Sequence, residues 1–320
     1  MSKKEKQEND IANAKIVIAN RQYVFKNRDK LPKFDVLFAD EAHTAVADST
    51  REFIDSLDAK VKIGCSGTLP RDKYAAWQLA GMFGKTLYRV GITELQEQGF
   101  ISDVDITLVK VRSKQIDDDR SLLFSLNTEV KFNKEAVEAG ESDVMFNDAY
   151  IAEKEYFNTW YKDLYKPVFE YLMSLNSNTL MLFDRIDIGT GLYEYAKELY
   201  SDKNVFYIDG SVDVHERERI RALFEQSDGN LLIAQNAVMS TGVNIKRLTN
   251  LVFLTSSKSF VRTIQSIGRT LRLHNDKDCA HIIDLSWNTK YSQRHLAERL
   301  KIYKQMYSKK PKQVVELEID

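Results

Sequence analysis

Only two cysteines, Cys65 and Cys279, stand in 320 residues. They are too few and too far apart for a disulfide framework, and reduced, buried thiols are the expectation. Four prolines and thirteen glycines exclude a collagenous, linker-rich or low-complexity chain. No apolar run approaches the roughly 18 residues that cross a membrane. Met1 to Asp10 is polar and charged, which is not a secretory leader. An excess of either charge is also lacking. Lys and Arg number 46 and Asp and Glu 47, a net charge of −1. Any surface for a polyanion must therefore be local. There is no internal repeat.

What is present is alternation. Short apolar runs, each ending in polar residues, are separated by helical patterns, the signature of parallel α/β units. Ile16–Ala19, Val36–Ala39 and Val61–Cys65 are strand candidates in the first part, with a helix over Lys73–Gly81. A second series follows: Thr179–Phe183, Val205–Ile208, Leu231–Ala234, Asn250–Leu254 and Ala280–Asp284 as strands. Helical patterns lie near Ile188–Tyr200, Val214–Glu225 and Lys258–Leu273. Buried parallel strands place the polar residues that follow them at their carboxyl ends, where such proteins bind ligands. The expected domains are 1–92, a connector with an acidic insertion over 93–155, 156–289, and a basic C-terminal helix and tail over 290–320. The connector holds a strand-like run, Ile106–Val111. Residues 115–155 carry eleven acidic and four basic side chains, and 290–312 one acidic and eight basic. The basic stretch reads as a solvated helix face or as a phosphate contact.

Four sets of residues can carry chemistry. Asp40-Glu41-Ala42-His43 puts adjacent carboxylates at a strand end, where one can hold Mg²⁺ and the other can orient a water; a surface acidic pair is the plainer reading. Ser66-Gly67-Thr68 ends the next strand candidate, and is either a coupling element or a simple turn. Ser240-Thr241-Gly242-Val243-Asn244 offers hydroxyls, a glycine and an amide for a phosphate or ribose. Gln265, Gly268, Arg269 and Arg272, at offsets 0, 3, 4 and 7, share one helix face. Guanidinium groups on such a face suit a triphosphate, with a salt-bridge cluster as the alternative. The five histidines show no metal-ligand spacing.

Taken in order, these sets resemble the motifs of superfamily 2 helicases: Asp40–His43 motif II in its DEAH form, Ser66–Thr68 motif III, Ser240–Asn244 motif V, and Gln265–Arg272 motif VI as Q-x-x-G-R-x-x-R. The phage UvsW-type recombination helicases are similar over nearly the whole chain, including Gly81-Met82-Phe83-Gly84 and the Tyr207–Arg217 segment. The resemblance implies tandem RecA-like parallel-sheet domains, the first truncated at its N-terminus. It implies ATP-dependent helicase or translocase activity on branched or single-stranded DNA in phage-type recombination, replication or repair. It implies Asp40 for Mg²⁺, Glu41 for water activation, and Arg269 and Arg272 at the γ-phosphate of ATP. His43, Gln265, Gly242 and Asn244 would support the nucleotide. Ser66, Gly67, Thr68, Ser240 and Thr241 would serve coupling or DNA. Asn20 and Gln22 would lie near the DNA, although threonine is more usual at the Asn20 position. A cytoplasmic location is implied, in the host if the protein is phage-encoded.

The phosphate-binding loop G-x-x-x-x-G-K-[S/T] of such enzymes is missing from these residues. Gly84-Lys85-Thr86 imitates its end, but Leu79 stands where the first glycine belongs and the tripeptide follows motif III. Two expectations result. Either a separate polypeptide carrying the loop is a partner, or the chain is the downstream product of an interrupted gene; the alternative function is a non-enzymatic DNA-binding or regulatory fragment of a split helicase.

Overall fold

The computed structural model describes residues 11, 13–20, 23, 26–27, 33–57, 59–67, 69–70, 72–118, 153, 156–157, 159–200, 204–239, 245–254, 267–268, 272–274, 277, 279–307 and 309–319. The chain divides into two compact units, Met1–Arg89 and Val90–Asp320.

The first unit runs β1 (Phe34–Ala39), a 3-10 turn (Ala42–Val46), α1 (Asp48–Ser56), β2 (Ala59–Gly64) and α2 (Lys73–Phe83). β1 and β2 pair in parallel, with Val36 opposite Val61 and Ala39 opposite Gly64. Ala45, Phe53, Ile54, Leu79 and Met82 form its core, with Leu37 and Phe83 packed against them. Side chains alternate along a strand. Leu37 therefore faces this core, while Val36, Phe38 and Val61 face away, and all three are exposed. Asp72 starts α2 by accepting the Ala75 N–H at 2.7 Å. Gly84 ends it at φ 81°, its N–H bonded to the Ala80 carbonyl. The Gly84-Lys85-Thr86 imitation is thus a helix stop, which favours glycine for its left-handed backbone.

The second unit holds α3 (Ile92–Glu97), β3 (Asp103–Ser113), α4 (Lys114–Asp118), α5 (Tyr161–Ser174), β4 (Thr179–Phe183), α6 (Ile186–Leu199), β5 (Val205–Ile208), α7 (Val214–Gln226), β6 (Leu231–Gln235), α8 (Asn236–Met239), β7 (Asn250–Phe253), β8 (Cys279–Trp287), α9 (Lys290–Tyr307) and β9 (Gln313–Ile319). Its seven strands form one parallel sheet in the order β5-β6-β4-β7-β8-β3-β9. A core lies on each face. Leu180, Leu182, Leu232 and Ala234 point toward Ile220, Phe224, Leu296 and Tyr303 of α7 and α9. Met181, Phe183, Leu231 and Ile233 point toward Val168, Phe169, Leu192 and Ala196 of α5 and α6. Burial on both faces is why these strands read as unbroken apolar runs. Asp213 caps α7 by accepting from the N–H groups of His215 and Glu216.

Three expectations take a different form. Ile16–Ala19 is not a strand: Ile16 and Ile18 are exposed, and nothing among the described residues pairs with them. Residues 103–113, assigned to the connector, are a sheet strand paired on both sides. The basic C-terminal stretch is exposed at Lys290, Arg294, Lys301, Lys304, Lys310 and Lys312, as a solvated face would be, but not all of it is free. Arg299 is buried on Asp284, Lys309 pairs with Asp103 and Lys312 with Asp105. β9, which the sequence pattern did not suggest, completes the sheet edge. Of the acidic insertion, 119–152 lies outside the described residues.

Candidate functional site

In the first unit the Asp40–His43 turn and the turn after β2 are knitted together. The Cys65 N–H donates to the Ala39 carbonyl, and the Ala42 N–H donates to the Cys65 carbonyl, both at 2.9 Å. Above this, His43 Nδ1 and Ser66 Oγ are hydrogen-bonded at 2.8 Å. The same nitrogen lies 3.3 Å from Glu41 Oε2. Parallel pairing of β1 and β2 therefore brings together two sets 23 residues apart. Glu41 sits in the left-handed region at φ 49°, ψ 45°, a conformation that costs a non-glycine residue about 1 kcal/mol. Its neighbours hold it there. Its N–H donates to Asp40 Oδ1 at 2.8 Å, and its carbonyl accepts from the N–H and hydroxyl of Thr44, each at 2.9 Å. Strain held by surrounding bonds is common at functional sites. Both carboxylates stay exposed while His43 is half-buried. Gly67 is exposed, with open space where a side chain would stand.

Asn20 Oδ1 accepts the Tyr23 N–H at 2.7 Å, the geometry of a helix cap, so part of its carboxamide is used locally. Gln22 and Thr68 lie outside the described residues, as do Ser240, Thr241, Gly242, Asn244, Gln265 and Arg269 in the second unit. Arg272 is half-buried, and its carbonyl accepts from Ser102 Oγ at 3.4 Å. In the helical pair 267–268, Ile267 is buried in the core and Gly268 is exposed.

At the carboxyl ends of β4, β5 and β6 lies a polar cluster whose roles were not anticipated. Asp209 Oδ1 accepts from the N–H and hydroxyl of Ser211 at 2.8 and 2.6 Å. Its Oδ2 accepts from the Tyr207 hydroxyl at 3.2 Å. The Ser211 hydroxyl, with the other donors, holds the Asp209 carboxyl below its ordinary pKa against the effect of burial. Arg217 donates to the Asp209 carbonyl at 3.3 Å. Asn236 Nδ2 donates to Asp184 Oδ1 at 2.9 Å. The available signal was the polar residue directly after each apolar run.

No group of three or more His, Cys, Asp or Glu among the described residues could hold a metal. Mg²⁺ is commonly held by one or two carboxylates, with phosphate oxygens and waters filling the rest. Asp40 presents one exposed carboxylate, of which Oδ1 already accepts a backbone N–H. No helix among the described residues is long and apolar enough to cross a membrane.

Two family models match. The helicase conserved C-terminal domain matches residues 165–274, and the res subunit of type III restriction enzymes matches 1–71. The ATP-dependent DNA helicase uvsW of Enterobacteria phage T4 is 29% identical over 311 residues, 94% of this chain and 57% of that protein. The chain thus spans little more than half of that relative. The ATP-dependent type ISP restriction-modification enzyme LlaBIII, solved bound to DNA, shares the fold at a TM-score of 0.60. Its identity is 14%, with 98% of this chain and 23% of that one covered. Dbp5 of S. cerevisiae, solved bound to RNA and ADP BeF3, shares it at 0.58, with 13% identity and 96% and 66% covered. Family models thus match in both halves, the chain is similar over nearly its whole length to an ATP-dependent DNA helicase of the UvsW type, and it shares the parallel-sheet, RecA-like fold of its solved neighbours.

Proposed function

We propose that the chain forms most of the motor core of an ATP-driven helicase or translocase that acts on branched or single-stranded DNA. The carrying observation is the His43–Ser66 hydrogen bond, 2.8 Å long, laid over two backbone bonds that lock the same turns together. A residue beside the carboxylates is thereby tied to the neighbouring turn. Movement at a nucleotide is then felt 23 residues away in sequence. Asp40 would ligate Mg²⁺, which neutralises phosphate charge when bound, and Glu41 would orient the attacking water. Arg269 and Arg272 would stabilise charge on the transferred phosphoryl group. His43, Gln265, Gly242 and Asn244 would support the nucleotide. Ser66–Thr68, Ser240, Thr241, Asn20 and Gln22 would serve coupling and the DNA.

The 320 residues hold no phosphate loop, so turnover requires one from outside them, in adjoining chain or in a second polypeptide. That same observation favours a second reading, a DNA-binding fragment without turnover. ATP hydrolysis decides between them, measured with and without branched DNA, for the chain alone and complemented with a loop-bearing polypeptide. DNA-stimulated hydrolysis on complementation, reduced at least about 100-fold in Glu41→Gln or Arg272→Ala, supports the motor. No hydrolysis in any mixture, with salt-sensitive DNA binding retained, favours the fragment.

A further inference from the structure

The outer face of α2 is not used by the motor chemistry. α2 buries Leu79 and Met82 in the small core. At 100° per residue, Tyr74, Trp77 and Gly81 fall on the opposite side. Tyr74 is 66% exposed and Trp77 73%, one helical turn apart. Large aromatic rings left this open mark interaction surfaces more often than chance. A side chain at Gly81 would meet nothing within 4 Å, so a flat ring can lie against Trp77 without obstruction from that position.

Charge separates this face from a simple apolar contact. From Lys73 to Gly91 the sequence contains no Asp or Glu, but it contains Lys73, Lys85 and Arg89. All three are exposed, and none pairs with a carboxylate among the described residues. Asp72, the adjoining carboxylate in sequence, is committed to the Ala75 N–H. Exposed Tyr88 stands between Lys85 and Arg89. Unpaired cations interleaved with open aromatic rings suit a partner that carries a phosphate at every step and a flat base between. A protein partner would more often meet aromatic anchors ringed by mixed charge.

We propose that this face of α2 is a stacking platform for single-stranded nucleic acid, with bases on Trp77 and Tyr74 and phosphates on Lys73, Lys85 and Arg89. It rests on the motor reading for its choice of ligand class. Stacking on aromatic faces tolerates any base, in keeping with a chain that has no base-reading motif.

The test is binding of labelled dT and rU oligonucleotides of about 15 nucleotides to the full chain, over a salt series, without nucleotide. The expected result is at least about 10-fold weaker binding in Tyr74→Ala/Trp77→Ala. Trp77→Phe, which keeps a ring, should bind within about 3-fold of wild type but lose the quenching of indole emission. In Lys73→Ala/Lys85→Ala/Arg89→Ala the log–log salt slope should fall by about 2, at roughly 0.7 per lost phosphate contact. Far-UV circular dichroism checks each variant, and Trp77→Phe keeps the test decisive if the double variant misfolds. Full-affinity binding by Tyr74→Ala/Trp77→Ala, with DNA-stimulated hydrolysis intact on complementation, overturns the platform and leaves the motor standing. A chain that binds neither oligonucleotide at low salt overturns the platform, while the motor reading is decided separately by hydrolysis on complementation. Self-association that the double variant abolishes, with oligonucleotide binding unchanged, reassigns the face to a second copy and overturns the platform. Binding of dT alone or rU alone upholds the platform and identifies the polymer.

Discussion

At the scale of single residues, the candidate site sets function against stability. Glu41 adopts a left-handed backbone that glycine would take freely. Glu41→Gly should therefore stabilise the first unit by roughly 1 kcal/mol, while hydrolysis by the complemented protein should be lost. Urea unfolding and ATPase assays on the same variant check both halves, and a destabilised variant would mean that the turn is not strained. Lys277 poses a different conflict. It is buried, donates to the carbonyls of Lys246 and Leu248 at 3.3 and 3.1 Å, and burial pushes its pKa down to about 8 from the ordinary 10.5. Between those two values the unfolded chain holds the proton and the folded chain has released it. Stability from this group therefore rises with pH across that window. Burial pushes the Cys279 thiol up to about 11, which acts in the opposite direction above pH 9. The comparison must be with Lys277→Met, which keeps that thiol. Wild-type stability minus variant stability should increase from pH 7 to 10, read from paired thermal melts. A flat difference would mean that the amine is not held in the low-polarity environment its burial indicates.

At the scale of elements, α9 is held to the sheet by polar groups inside the core. Arg299 is 1% exposed and contacts both Asp284 oxygens, at 2.6 to 3.0 Å. The Tyr303 hydroxyl donates to Asp284 Oδ2 at 2.6 Å. Burial works against the Arg299 charge, but the Asp284 carboxylate more than offsets it and raises the pKa. Arg299→Met should cost about 3–5 kcal/mol, because it leaves a buried carboxylate unpaired. Arg299→Met/Asp284→Leu should recover much of that loss, since replacing both partners removes the orphan charge. At the start of α9, Glu153 accepts from Thr289 Oγ1 at 2.8 Å and from the Tyr291 and Ser292 N–H groups at 3.1 Å. Glu153→Ala should cost about 1–2 kcal/mol, as removal of a helix cap does, measured by urea unfolding. How much of this the sequence disclosed depended on locality. β4 was legible to the residue, because burial on both faces leaves a continuous apolar run in the sequence, and β5 was too, although as an edge strand it is only partly buried. β9 was not, because an edge strand reading Val-Val-Glu-Leu-Glu-Ile is half exposed and its pattern merged with the basic tail. β3 was read as a strand-like run but not as a central member of a sheet, because its neighbours β8 and β9 lie more than 160 residues away in sequence. The Asp40–His43 and Ser66–Gly67 sets were legible as motifs. The hydrogen bond joining them was not, since it depends on the β1–β2 register. For Arg299 the sequence pointed the other way: a lysine- and arginine-rich helix looks solvated until one of its arginines is found opposite a buried aspartate.

At the scale of the whole molecule, the two units differ in how completely they bury their sheets. The larger one covers a seven-stranded sheet with a core on each face. Among the described residues the smaller one has two paired strands, a core of five buried apolar side chains and a sheet face on which Phe38 is 69% exposed. Parallel sheets are normally covered on both faces, and two strands alone are marginally stable. Opening of the first unit should therefore cost much less than global unfolding. Hydrogen exchange should show amides of β4, β6, β7 and β8 protected at least about 100-fold more than those of β1 and β2, equivalent to roughly 2.7 kcal/mol. If a loop-bearing polypeptide restores ATP hydrolysis, adding it should raise protection in β1 and β2 and leave β4 nearly unchanged, because a partner stabilises only the element it binds. Equal protection in both units without any addition would mean that the bare Val36, Phe38 and Val61 face is already closed in solution. In that case the cover belongs to the protein's resting state, and complementation would have to act through the nucleotide rather than through the fold.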